Sequence, residues 1–208
     1  MAQSIVTKDK FGVPIEDANG TGAGIMMPKL KYRFRVSFHA PFGGETRSTT
    51  LTQNVQSVGR PAVAYAEQEI HSYNSIVYLQ GKHSWSPIDI VVRDDISNSV
   101  SKAIGAQVQR QVNHFQQTTT ASANDFKFGV SVQVLDGTAS NAPTEEWFLE
   151  GCFLTNVAYG DHDYSAAEAQ QITLTLRFDN ALQFGADGPL NGGFGDNNIL
   201  GLVTSLLG

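Results

Sequence analysis

Hydrophobic positions between residues 29 and 184 recur mostly every second residue. Leu30, Tyr32, Phe34, Val36 and Phe38 alternate with Lys31, Arg33, Arg35 and Ser37, the period of a strand with one dry face and one wet, basic face. The same period predicts strands over 65–72, 75–80 and 85–93, and again where Phe126, Phe128, Val130, Val132 and Val134 alternate up to Asp136-Gly137. Residues 147–159 and 171–179 complete the set, with Ile172, Leu174, Leu176 and Phe178 inward and Gln171, Thr173, Thr175, Arg177 and Asp179 outward. One stretch changes period. After Asp94-Asp95, a natural N-cap, Ile96, Val100, Ile104, Val108, Val112 and Phe115 recur at helical spacing and predict one amphipathic helix near 95–117. About seven strands and one helix imply a mainly β fold, a β-sandwich or partial barrel with the helix on its flank.

Outside that zone the pattern lapses. Residues 1–28 and 185–208 are rich in Gly, Pro and Asn without a sustained period, so they read as an N-terminal extended arm and a Gly-rich C-terminal arm around one β domain. The second arm ends in an apolar run containing Ile199, Leu200, Leu202 and Val203, which needs its own domain or a neighbour to cover it. The polar run with Thr46, Ser48, Thr49, Thr50 and Thr52 has strand propensity but few apolar residues, so it is expected as a long exposed hairpin arm in contact with another chain.

Composition narrows the function classes. Charged residues make up 16% of the chain and its net charge is −6, against a solvated helical bundle and against binding nucleic acid through phosphate neutralisation. Charge is also segregated: residues 1–60 hold 8 basic and 4 acidic residues, and residues 61–208 hold 6 and 16. The single cysteine, Cys152, excludes an internal disulfide framework and sits among apolar neighbours, as a small core residue would. The start carries no apolar leader and the longest apolar run is too short to span a bilayer, so a soluble protein made in a cytoplasm is expected.

Site chemistry is sparse. His39, His71, His83, His114 and His162 never fall at metal-ligand spacing. His162 between Asp161 and Asp163 is the one local cluster, more simply read as a polar turn. Gly20-Thr-Gly22-Ala-Gly24 lacks the strand and helix that make a phosphate cradle. Glu145 and Glu146 are adjacent and face opposite sides of a strand, so they do not form a catalytic pair. No cofactor, metal or catalytic activity is expected.

Trp85-Ser-Pro-Ile-Asp-Ile-Val-Val-Arg-Asp-Asp running straight into a helix, Leu30-Lys-Tyr-Arg-Phe-Arg-Val-Ser-Phe as an opening strand, and Gly151-Cys-Phe-Leu-Thr-Asn-Val-Ala-Tyr-Gly followed by Gln171-Ile-Thr-Leu-Thr-Leu-Arg-Phe-Asp together resemble the tail tube proteins of contractile-tailed bacteriophages, a family whose fold cousins are the tube proteins of type VI secretion. The resemblance covers roughly residues 29–182. It implies homohexameric rings stacked into a tube inside a sheath, in a virion tail assembled in the bacterial cytoplasm. Its partners would be other copies, the tail sheath protein, and baseplate and terminator proteins, with phage DNA passing through unbound. It also implies that the partial barrel completes a larger barrel when the ring forms. Two alternatives stay open: a baseplate tube initiator or tube-end protein of the same fold, and a small-ligand-binding β-barrel.

A channel that passes a polyanion should not hold it. Glu67, Glu69, Asp136, Glu145 and Glu146 are therefore the expected lumen residues. Lys31, Arg33 and Arg35, with Thr46, Thr49, Thr50, Thr52, Ile199, Leu200, Leu202 and Val203, are the expected subunit-interface residues.

Overall fold

The computed structural model describes residues 28–39, 42–44, 47–137, 143–185 and 188–189. Those before Phe34 form one unit and those from Phe34 onward another. In the first unit, the Arg33 amide donates to the Leu30 carbonyl in a turn, and the Arg33 guanidinium lies 5.6 Å from the Tyr32 ring centroid. The expected opening strand is thus shortened. A turn stands in place of its first residues, and of Lys31, Arg33 and Arg35 only Arg35 lies on a strand.

From Phe34 the elements are β1 (Phe34–His39), a 3₁₀ turn (Phe42–Gly44), β2 (Arg47–Ser48), α1 (Thr49–Asn54), β3 (Val55–Val58), β4 (Val63–Ser72), β5 (Ser75–Trp85), β6 (Ile88–Arg93), α2 (Ser99–Gln111), β7 (Val112–Asn113) and β8 (Thr118–Thr119). A second 3₁₀ turn (Ala123–Asp125) leads to β9 (Phe128–Leu135), β10 (Pro143–Ala158), β11 (Gln171–Arg177), β12 (Asn180–Gly185) and β13 (Gly188–Pro189). The main sheet runs β2-β1-β9-β10-β11-β6-β3, with β12 also on β10. All pairings are antiparallel.

The strand that organises this arrangement is the sixteen-residue β10. Its first half pairs with β9 on one side and β12 on the other, and its second half pairs with β11. The change of partner happens at Gly151, whose φ is +65 and where a Cβ would run into the Asp179 carboxylate. Only glycine supplies both the backbone angle and the space. β10 therefore turns a corner and joins two halves of sheet around a single core. Val36, Phe38, Val130, Val132 and Leu149 enter that core from one half, and Ile90, Val92, Ile172, Leu174 and Leu176 from the other. This mainly β, partly closed sandwich is the expected fold class.

The helix is shorter than its periodicity predicts. Val100 and Ile104 are buried on it, while Ile96 and Phe115 lie off its ends and are exposed. At the C-terminal end β-branched Val112 turns extended. The Asn113 Oδ1 then accepts from the Phe115 and Gln116 amides at 3.1 Å each, a side-chain turn that competes with another helical turn. At the N-terminal end the Asp95 Oδ1 accepts from the Ser99 and Val100 amides at 3.0 and 3.1 Å. Ser97 and Ser99 hydroxyls donate to its Oδ2. The serine bonds, followed by the two amides, hold the Asp95 carboxyl far below its ordinary pKa of 3.8.

Two glutamines fasten α2 to the sandwich. Gln107, wholly buried, accepts from the Gly43 amide at 3.0 Å and donates to the Phe126 carbonyl at 2.6 Å. Gln111 donates to the Leu154 carbonyl at 2.9 Å and accepts from the Leu154 amide at 2.8 Å. Its amide stands in for a strand just beyond the last β9–β10 pair, Cys152 with Phe128. A partner for exposed sheet edge is thereby supplied by a side chain.

Candidate assembly surface

The threonine-rich run is not an exposed hairpin. Thr49, Thr50 and Thr52 fall in α1, Thr52 is half-buried, and Leu51 in their midst is 0% exposed and part of the core. A single well-placed leucine draws the segment inward, because burying it outweighs the weak strand preference of its neighbours. Thr46 lies outside the described residues, as do Ile199, Leu200, Leu202 and Val203.

The exposed arm is instead β4–β5, a two-stranded sheet of its own, and every residue of β4 is exposed. The strands run in register from Ser72↔Ser75 to Glu67↔Gln80. A bulge follows at Ala66, Gly81 and Lys82, where a Cβ on Gly81 would come within 2.9 Å of the Ala66 carbonyl oxygen. Pairing resumes from Tyr65↔His83 to Val63↔Trp85. The arm is rooted by the Trp85 ring, 5.8 Å from that of Phe178, and by the Ser86 amide donating to the Ala62 carbonyl at 2.9 Å. Tyr65, Ile70, Ile76, Val77, Tyr78 and Leu79 are 44 to 59% exposed along it. Periodicity located both strands but gave no sign that they stand clear of the body.

Of the acidic candidates, Glu67 and Glu69 lie exposed on β4, on the same face. Asp136 is half-buried in the turn after β9, and Glu146 is half-buried on β10. Glu145 corrects the expectation. It is 2% exposed, and its Oε1 accepts from Arg60 Nη2, from Trp147 Nε1 at 2.7 Å and from Gln183 Nε2 at 3.0 Å. It cannot furnish an open wall, since its carboxylate joins the segment after β3 to β10 and β12. The cause was legible in the alternation: Trp147 and Leu149 face the core, and Glu145 shares their parity.

The basic candidates divide as well. Lys31 and Arg35 are exposed and Arg33 is half-buried. Arg35 Nε donates to Gln133 Oε1 at 2.8 Å across the β1–β9 pair.

Among the described residues, no group of three His, Cys, Asp or Glu side chains is placed to hold an ion. His162 lies in an exposed turn, where Asp163 Oδ1 accepts from the Ser165 amide and hydroxyl at 2.9 Å each, which lowers its pKa. Cys152 is 0% exposed, and burial pushes its thiol up to about 12, far from a nucleophile's range. No helix among the described residues is long and apolar enough to cross a membrane.

No protein-family model matches the chain, and no curated protein matches it in sequence. Solved structures do match. A chain of the anti-feeding prophage tube-terminating cap is 14% identical, with a TM-score of 0.59 over 78% of this chain and 95% of that one. The sheath/tube terminator of an extracellular contractile injection system (PVC) in its extended state gives 15% identity and a TM-score of 0.57, over 77% and 99%. The PVC sheath–tube complex gives 12% identity and a TM-score of 0.54, over 78% and 95%. The chain has the fold found in these tube and cap assemblies, as the tail-tube resemblance implied.

Proposed function

We propose that this chain is a structural subunit that associates with copies of itself into rings, stacked as the inner tube of a contractile tail or injection apparatus. The observation that carries this reading is the β4–β5 arm. A two-stranded hairpin is at best marginally stable in water, yet this one extends over 23 residues, Val63 to Trp85, with large apolar side chains exposed on both strands. Unpaired sheet edges point the same way: among the described residues β3 pairs only with β6, and Asn180–Gln183 of β12 pair only with β10. Strands from neighbouring copies would satisfy those edges and complete a larger barrel. A contact between two different patches that closes by rotation gives a ring, and rings that stack give a tube.

In this reading the ring is a hexamer, and the tube's partners are the sheath, baseplate and terminator proteins of a virion tail put together in the bacterial cytoplasm. Phage DNA passes through the lumen without being held. Glu67, Glu69, Asp136 and Glu146 supply acidic character to the wall, while Lys31, Arg33 and Arg35 meet a neighbour's carboxylates or face away from the channel. Thr52 and the terminal arm with Ile199, Leu200, Leu202 and Val203 belong to the contacts between copies. A tube-end protein is the second reading, favoured by the fold match to a tube-terminating cap.

Negative-stain images of the concentrated purified chain test the assignment. Uniform hollow tubes of open length are expected from a tube subunit, and isolated rings from an end protein. A monodisperse monomer at every concentration and salt would reject both.

A further inference from the structure

The β4–β5 arm is a ribbon with two unlike faces. Because pairing is in register beyond the bulge, residues directly opposite each other share a side. One side carries Ile70, Val77 and Leu79, with uncharged Gln68 opposite Leu79 and Ser72 and Ser75 at the tip. The other interleaves Tyr78 and Ile76 with Glu67, Glu69 and His71. The Glu69 Oε2 lies 3.8 Å from His71 Nε2.

We propose that the Ile70–Val77–Leu79 face docks on a second copy of this chain while the Glu67–Glu69 face stays open to solvent. This deepens the self-assembly reading and rests on it. Aliphatic side chains on one face lose nothing by leaving water, whereas two carboxylates on the other would each have to be neutralised before burial.

The size of the ribbon indicates what covers it. Beyond the bulge this face spans residues 68–72 of β4; at ~3.4 Å per residue and two strands' width, it offers roughly 160 Å². A stable stand-alone complex buries about 800 Å² per partner. The face alone is therefore too small to hold an unrelated protein. It suffices where each copy gives its ribbon to one neighbour and receives a ribbon from another, so that every subunit has two such contacts as well as its sheet edges. That is the head-to-tail arrangement of a closed ring or a stack.

Thiol labelling of assembled protein separates the two faces. The native Cys152 is silent, being buried with its thiol pushed up to about 12. Val77→Cys, Ile70→Cys and Glu69→Cys are each mixed as a small minority into native protein, then labelled with a maleimide before and after tube formation. Assembly is expected to slow labelling of Val77→Cys and Ile70→Cys by about tenfold or more and to leave Glu69→Cys within about threefold of its dissociated rate. If the aliphatic-face variants are excluded from tubes that accept Glu69→Cys, the same assignment is supported. Tubes in which Val77→Cys and Ile70→Cys react as fast as in the dissociated chain, or in which Glu69→Cys alone is protected, overturn the assignment of faces and leave self-assembly standing. A native chain that forms no assembly overturns both.

Discussion

Val92 and Val77 are the same residue on strands that almost adjoin in sequence, yet Val92 is 0% exposed and Val77 is 50% exposed. Val92 sits on β6, flanked by β11 and β3 and covered by the far side of the sandwich. Val77 sits on a ribbon with no layer above or below it among the described residues. The body thus carries its own reasons for being folded: buried aliphatics from two halves of sheet, a capped helix, and glutamines that close open backbone. The arm has cross-strand pairs and one aromatic root. Its strand-forming residues are as good as those of the body, so what it lacks is a partner surface, which propensity alone does not supply.

The sharpest break in that comparison is a truncation within the body. Leu174→Ala removes a side chain with 0% exposure and is expected to cost about 2 to 5 kcal/mol, measured by urea denaturation of the dissociated chain. The same measurement on Val77→Ala should show a far smaller loss.

Next in size is the buried carboxylate that ties β10 to β12 and to Arg60. Glu145→Gln leaves Arg60 without its charged acceptor and sets an amide among the Trp147 and Gln183 donors. Roughly 1 to 3 kcal/mol of destabilisation is expected by thermal or urea unfolding. A neutral result would mean that these bonds do not hold the sheet.

The cap on α2 gives a pH-dependent effect. Hydrogen bonds lower the folded-state pKa of Asp95 below 3.8, so the unfolded chain binds that proton first as pH falls. The stability Asp95 contributes is complete above about pH 5 and declines as pH drops through 3.8 and beyond. Asp95→Asn should lower the melting temperature at pH 7 and lose part of that deficit in acid. A deficit that stays constant from pH 7 to about pH 2 would contradict the assigned role of the carboxylate.

The smallest effect on the isolated chain is expected in the arm. Ile70→Ser and Val77→Ser should each leave monomer stability within about 0.5 kcal/mol, because the positions have little packing to lose. Yet both should reduce tube formation in sedimentation assays. Equal loss of monomer stability from Leu174→Ala and Val77→Ser would erase the distinction between the two regions.

Alternation made the sandwich legible, since a strand with one covered face repeats every two residues whatever its neighbours are. It located β1, β9, β10, β11 and the β4–β5 pair, and helical spacing located α2. Its failures have local causes. Thr49 and Thr50 read as strand residues, but Leu51 anchors a short helix there. Val112 and Phe115 keep helical spacing, but Asn113 bonds its own turn. Glu145 reads as a solvent carboxylate by its charge, although it shares the parity of the core-facing Trp147 and Leu149; the partners that let it be buried, Arg60 and Gln183, are distant in sequence. The arm was read as two ordinary strands, since no one-dimensional pattern records whether another layer covers a strand.

Amide hydrogen exchange, followed in dilute and in concentrated protein, tests the dependence of the arm on neighbouring copies most directly. In dilute solution β6, β9, β10 and β11 should exchange slowly while β4 and β5 exchange on the timescale of local opening. On concentration into tubes, protection of β4 and β5 should rise toward that of the body, with little change in β6 or β11. An arm that is already as protected as β11 in the dilute monomer, or that stays unprotected inside assembled tubes, would contradict the account.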